Sequence, residues 1–261
     1  MLNTHETLIL EALEGDIVVV RLNRPDAANA LSTDMAMDIH HAFMQLGASG
    51  SRAVILTGMG RNFCAGADLK ERRGMTETQW QRQHDALEEA HRAVLNCPVP
   101  VIAAVHGAAF GGGLELAMAC DFIYAADSAR FALTETTLGI MPGMGGTQLL
   151  PRSIGAARAR ELIYMGKAFS AAEAHQWGLV NRLLPEAGLL ESAIACARTI
   201  AGNAPLAVRA AKAAISEGQP APLHEALQIE LTHYNSLLAT KDRQEGINAF
   251  NEKRKPSFTG E

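Results

Sequence analysis

Cysteine is scarce and scattered in this chain of 261 residues, and aromatic side chains make up only 5% of it. The four cysteines, Cys64, Cys97, Cys120 and Cys196, form no CxxC pair, which argues against both a zinc site and a disulfide frame. Each reads instead as a small buried apolar residue. An excess of basic charge is missing as well. Lys and Arg number 23 against 28 Asp and Glu, a net charge of -5, which argues against nucleic acid as the main partner. No apolar run reaches the roughly 18 residues of a membrane span; the longest candidate, Val99 to Phe110, is interrupted by His106 and Gly107. The first residues lack the basic-then-apolar pattern of a secretion signal, so a cytoplasmic protein is expected.

Familiar glycine motifs are absent too. A phosphate-binding loop needs GxxxxGK[ST], but Gly166-Lys167 continues to Ala168. A dinucleotide fingerprint fails at Phe63, Leu116 and Gln148, where its last glycine should stand. There is no GxSxG elbow and no HExxH helix, and none of the nine histidines has a partner at metal-ligand spacing. No metal is expected.

What is present is an alternation of strand-like and helix-like segments. Strands are expected at Thr7 to Leu10 and Ile17 to Leu22, around the turn Glu14-Gly15-Asp16. A helix capped by Ser32 or Thr33 follows, with the apolar stripe Met35, Ile39, Ala42, Phe43, Leu46 at helical period. Compact apolar runs at Ala53 to Thr57 and Val99 to Val105 suit buried strands. A polar helix spans Glu77 to Asn96, another runs from Gly112 to Ala119, and shorter strands fall at Phe122 to Ala125 and Arg130 to Leu133. Later come a helix over Ala156 to Met165, a capping box at Ser170 to Glu173, and a strand over Leu179 to Leu184. From Glu186 onward only helices are expected, including Pro205 to Glu217, Leu223 to Leu238 and Lys241 to Arg254. Mixed elements followed by helices alone predict an α/β core of about 200 residues with a helical tail.

The chemistry is concentrated at Gly111-Gly112-Gly113-Leu114-Glu115 and at a second acid, Glu135. Three glycines let the backbone approach a ligand closely, and a helix starting there would present its unpaired N–H groups. On its own, the run reads better as a tight strand-to-helix turn. Glu115 alone reads better as a first-turn acid complementing the helix dipole.

Three segments change that balance: Asn62-Phe63-Cys64-Ala65-Gly66-Ala67-Asp68-Leu69-Lys70-Glu71, Gly111 to Ala117, and Pro142-Gly143-Met144-Gly145-Gly146-Thr147-Gln148. In this order and spacing they resemble the enoyl-CoA hydratase/isomerase (crotonase) superfamily over essentially the whole chain. The resemblance implies a ββα spiral core, here residues 1–196, and a C-terminal helical trimerisation region, here residues 197–261. It also implies a homotrimer or dimer of trimers. By position, the Ala67 and Gly112 amides would form an oxyanion hole for the thioester oxygen. Glu115 and Glu135 occupy both acid positions of the hydratases, which add water in syn fashion to a 2-enoyl-CoA. Glu115 would take the proton from water, and Glu135 would deliver the α-proton. Coenzyme A enters with the substrate, and no separate cofactor is implied. Ala65, Ala67, Asp68, Leu69 and Lys70 match its binding segment, and Phe250 and Lys253 match positions that reach a neighbouring subunit's coenzyme A. Asp26 and Leu149 depart from the family pattern, where Lys and Arg are usual.

Phe63 to Arg72, Leu133-Thr134-Glu135-Thr136 and Thr240-Lys241-Asp242-Arg243 look closest to the methylglutaconyl-CoA hydratase branch, which serves leucine catabolism. A short-chain hydratase of fatty-acid catabolism, or an enoyl-CoA isomerase, stays open. A substrate with a distal carboxylate needs a cation; Arg72 and Arg73 are near in sequence but suit a solvated role equally well. A relative in that branch binds RNA through a basic helix. Here the corresponding helix sets Asp85, Glu88 and Glu89 against Arg82 and Arg92, the wrong balance for phosphate contact.

Overall fold

The computed structural model describes residues 5–261. The chain runs β1 (Leu8–Leu13), β2 (Ile17–Leu22), α1 (Thr33–Ala48), β3 (Ala53–Gly58), α2 (Leu69–Arg72), α3 (Glu77–Leu95), β4 (Val101–Val105), β5 (Ala108–Phe110) and α4 (Gly112–Ala119). It continues through β6 (Phe122–Ala126), β7 (Arg130–Ala132), α5 (Gly146–Ile154), α6 (Ala156–Met165), β8 (Phe169–Ser170), α7 (Ala171–Gln176) and β9 (Arg182–Leu184). The last elements are α8 (Glu186–Ala201), α9 (Pro205–Gly218), α10 (Leu223–Ser236) and α11 (Lys241–Asn251). Short 3₁₀ turns cover Pro25–Ala27 and Glu135–Leu138.

Six strands form the main sheet in the order β1-β2-β3-β4-β6-β9. The β1–β2 hairpin is antiparallel and every later pair is parallel. Strands β3 and β4 are buried at every residue, which explains their unbroken apolar sequence: parallel strands between helices have no wet face. Helix α1 begins where the Ser32 hydroxyl accepts the Met35 N–H, and Met35, Ile39, Ala42, Phe43 and Leu46 are all buried. Helix α8 packs on β3, β4 and β6, while α1 packs against α3.

A second sheet, β5-β7-β8, has β5 following β4 and β7 following β6 along the chain. It matters because β5 delivers the backbone directly into α4, and bridges join Cys64 to Ala109 and Leu31 to Ala67. The loop before α2 is thereby tied to the start of α4.

The strand expected over Arg130 to Leu133 ends at Ala132, and two others begin later than the sequence predicts. The one expected from Val99 begins at Val101, after Pro100, which has no N–H to donate; the Pro100 carbonyl instead accepts the Val54 N–H. The one expected from Leu179 begins at Arg182. Leu179 and Val180 are buried, but both direct their N–H groups to the Ala174 carbonyl in a turn closing α7. Burial there looks like strand patterning in the sequence.

After α8, helices α9, α10 and α11 follow without further strands, and α9 packs on α10. They leave Ile215, Leu223, Leu227, Leu231, Tyr234 and Phe250 exposed, an apolar surface unusual for a lone subunit. Among the described residues, no helix is long and apolar enough to cross a membrane.

Candidate active site

Helix α4 is buried along its whole length, which is rare for a segment containing an acid. Gly111 precedes it at φ 51°, a conformation L side chains avoid, and a Cβ there would sit 3.1 Å from Glu135 Oε1. At Gly113 a Cβ would overlap the Cys64 carbonyl. The glycines are therefore demanded by close approach of two backbones and a carboxylate.

Glu115 projects from the first turn of α4 and is 2% exposed. Its Oε1 accepts N–H bonds from Met144 and Gly146, both at 2.8 Å. These two amides come from the Pro142 to Gly146 segment leading into α5. Burial pushes the Glu115 carboxyl up to about 7; the Gly146 and Met144 amides oppose that, and the charge of Glu135 reinforces it. Glu135 opens the 3₁₀ turn after β7, and burial raises its carboxyl as well. Its Oε2 is buried without a hydrogen-bond partner among the described residues. An orphaned carboxyl oxygen facing a cavity is best accommodated as the protonated acid.

Both acids line a cavity of about 440 Å³, together with Ala65, Ala67, Gly112 and Met144. The N–H groups of Ala67 and Gly112 have no acceptor among the described residues. They lie side by side: a Cβ on Gly112 would come within 3.8 Å of the Ala67 nitrogen. Two unpaired amides beside two neutralisable carboxyls form a site that can polarise a carbonyl and move protons near it.

The remaining residues singled out from sequence divide cleanly. Ala65, Ala67 and Leu69 line the cavity. The Asp68 carboxylate does not: Oδ1 caps α2 through the Lys70 and Glu71 amides, and Oδ2 pairs with Arg24 at 2.9 Å. The Asp68 side chain is thus engaged in starting α2 and holding Arg24. Lys70 is exposed on α2 outside the cavity lining. Phe250, 83% exposed, and Lys253, at φ 53°, stand at the end of α11 and are not brought to this cavity. Asp26 is exposed in its 3₁₀ turn, and Leu149 packs against the core.

Sequence reading missed the amides that hold Glu115, although the segment supplying them was visible as a motif. It also missed how Arg72 is held. Arg72 lines the cavity, its guanidinium lies 4.1 Å from the Trp80 ring centroid, and its Nε donates to Gln83 Oε1 at 2.7 Å. Nothing in the spacing of Arg72, Trp80 and Gln83 marks them as a unit, because they sit on two helices joined by a turn.

Comparison with known proteins identifies the family. The family model described as Enoyl-CoA hydratase/isomerase matches residues 12–261. The crystal structure of enoyl-CoA hydratase from Bacillus anthracis superposes with a TM-score of 0.96 at 48% identity, covering 98% of this chain and 100% of that one. An enoyl-CoA isomerase/hydratase of Mycosarcoma maydis is 43% identical over 92% of this chain and 91% of its own. The human mitochondrial enoyl-CoA hydratase domain-containing protein 2 is 42% identical over 94% of this chain and 86% of its own.

Proposed function

The chain belongs to the enoyl-CoA hydratase/isomerase family, and from that premise we propose that it adds water across the double bond of a 2-enoyl-CoA thioester. The observation that carries this reading is the pair of buried carboxyls in one cavity with two unpaired amides.

In the proposed reaction the thioester carbonyl oxygen sits between the Ala67 and Gly112 N–H groups. The Glu115 carboxylate removes a proton from water as the oxygen bonds to the β-carbon. The π electrons move onto the thioester oxygen as an enolate, which the two amides stabilise; one such donor contributes about 3 kcal/mol in known oxyanion holes. The enolate then collapses as Glu135 gives its proton to the α-carbon. One proton has left water for Glu115 and one has left Glu135 for carbon, so the resting pair is restored by proton transfer from Glu115 to Glu135. The hydrogen-bond pattern supports this assignment: two amides favour the charged form of Glu115, while the orphaned oxygen of Glu135 favours its neutral form. The two groups titrate as a pair.

A thioester with an acyl group from fatty-acid or leucine catabolism, crotonyl-CoA or 3-methylglutaconyl-CoA, fits this reading. Turnover of the two by the same preparation tests it, and hydration of neither sinks the hydratase assignment. Double-bond migration is the second reading, favoured by the isomerase/hydratase name of the Mycosarcoma maydis relative. It needs only one acid, so it predicts that Glu115→Gln keeps most of its activity. The exposed apolar surface of α9 to α11 supports assembly as a homotrimer or dimer of trimers, in which Phe250 and Lys253 serve a neighbour's coenzyme A.

A further inference from the structure

A loop of bare backbone, Gly143 to Gly146, lies between the Glu115 carboxylate and helix α3. Toward Glu115 it directs the Met144 and Gly146 N–H groups, and a Cβ on Gly146 would come within 2.9 Å of Glu115 Oε1. Toward α3 it meets two imidazole rings. A Cβ on Gly143 would sit 2.7 Å from His84 Cε1, and one on Gly145 would sit 3.0 Å from His91 Cε1. In both cases Cε1 is the nearest atom, so each ring meets the loop by its edge. Gly145 also holds a φ of 96°, which L side chains avoid. The loop is thus one layer of backbone pressed between two rings and a carboxylate.

His84 and His91 are seven residues apart on α3, two helical turns, which places them on one face about 10 Å apart. Leu87, 1% exposed, lies between them on that face. His91 is 5% exposed, and its Nε2 is buried without a hydrogen-bond partner among the described residues. Burial pushes its imidazole down to about 4, and the Arg92 charge acts in the same direction, so the ring is neutral at neutral pH. Leu149 closes on the same spot, with Cδ1 3.4 Å from the Cβ position of Gly145. A ring that spends no hydrogen bond here contributes its shape: a flat edge beneath a left-handed turn.

We propose that His84 and His91 are positioning residues, whose ring edges carry the Gly143 to Gly146 loop and keep the Met144 and Gly146 amides on Glu115. This rests on the role of Glu115 as base in the proposed reaction. Among the described residues neither ring hydrogen-bonds to Glu115, so both act through the loop. Two amides on one oxygen favour the carboxylate, and Glu135 is the charged group that opposes it. Truncating a ring lets the loop settle into the gap, lengthens those hydrogen bonds and leaves Glu115 a weaker acid.

Infrared difference spectra recorded against pH, on the protein without substrate, read the Glu115 carboxyl once the Glu115→Gln spectrum is subtracted. No turnover is needed, so the result is separate from the hydratase assignment, which fails only if enoyl thioesters are not hydrated. His91→Ala should raise the titration midpoint of Glu115 by about one pH unit, the scale of an amide bond lost by a buried carboxylate. His84→Ala should raise it by less, because His84 is only half-buried at the cavity wall. His84→Phe keeps a ring edge without the nitrogens and should return the midpoint to the wild-type value. A midpoint unchanged or lowered in the alanine variants overturns the proposal. So does a His84→Phe midpoint displaced as far as that of His84→Ala. Should His91→Ala not fold, the two His84 variants decide the matter.

Discussion

Glu115 and Glu135 differ in what surrounds them, and that difference generates the sharpest expectations. Glu115→Gln and Glu135→Gln should each lower kcat for enoyl thioester hydration by roughly 10²–10⁴-fold, the range for loss of a positioned acid or base. KM should change little, because in the proposed reaction both residues act on the water and the reacting carbons. With the Glu115 carboxyl raised from 4.5 to about 7, kcat/KM should rise with pH through that value as the base ionises. The raised carboxyl also makes stability depend on pH. A carboxyl held above its unfolded value favours the fold fully below about 4.5, and that contribution is lost as pH climbs through 7. The loss is on the order of 3 kcal/mol, because each pH step between the unfolded and folded values is worth about 1.4 kcal/mol. Glu115→Gln should therefore gain Tm relative to wild type between pH 5 and pH 8, read by thermal unfolding at both. A Tm difference independent of pH contradicts the raised carboxyl. Both acids were singled out only through the family resemblance that the glycine-rich segments carry; read alone, Glu115 suits a first-turn acid and Glu135 a surface acid. Arg72 was visible only as a nearby cation, since its partners Trp80 and Gln83 have no motif.

At the scale of elements, the site depends on the β5–α4 junction and the loop ahead of α2. A methyl group at Gly113 would meet the Cys64 carbonyl, a backbone atom with nowhere to go. One at Gly112 would meet the Met144 sulfur at 3.1 Å and Leu31 Cδ1 at 3.3 Å, both ends of flexible side chains. Gly113→Ala should thus give an insoluble or strongly destabilised protein, while Gly112→Ala folds with a displaced hole and reduced kcat. Circular dichroism melts and kinetics on the two variants separate these outcomes; equal tolerance of both substitutions counts against the packing described. Long periodic elements such as α1 and the buried β3 were legible because a 3.6-residue stripe or an unbroken apolar run leaves few alternatives. The start of β9 was not, because Leu179 and Val180 are buried by a turn rather than by a ladder. The short β5, β8 and α2 pieces lack the length for any period to show, and α5 has Pro151 inside it. Their positions come from long-range pairing with β7, Leu31 and Cys64.

The whole molecule combines a buried pair of carboxyls with a helical C-terminal face whose apolar residues stay exposed among the described residues. Assembly through that face predicts a mass in light scattering of at least three chains. Leu231→Asp with Tyr234→Asp should shift it downward; a wild-type monomer contradicts the assembly reading. None of that was legible from helical pattern alone, since exposed apolar positions become informative only once the subunit surface is known. The central claim remains that two carboxyls and two unpaired amides add water to an enoyl thioester. Its most direct test is incubation of the enzyme with crotonyl-CoA and, separately, 3-methylglutaconyl-CoA in D₂O, with products read by NMR and mass spectrometry. The account predicts a 3-hydroxyacyl thioester from at least one of them, carrying a single deuterium at the α-carbon and an oxygen from solvent at the β-carbon. Unchanged thioesters, or products whose double bond has moved without gain of water, would contradict it.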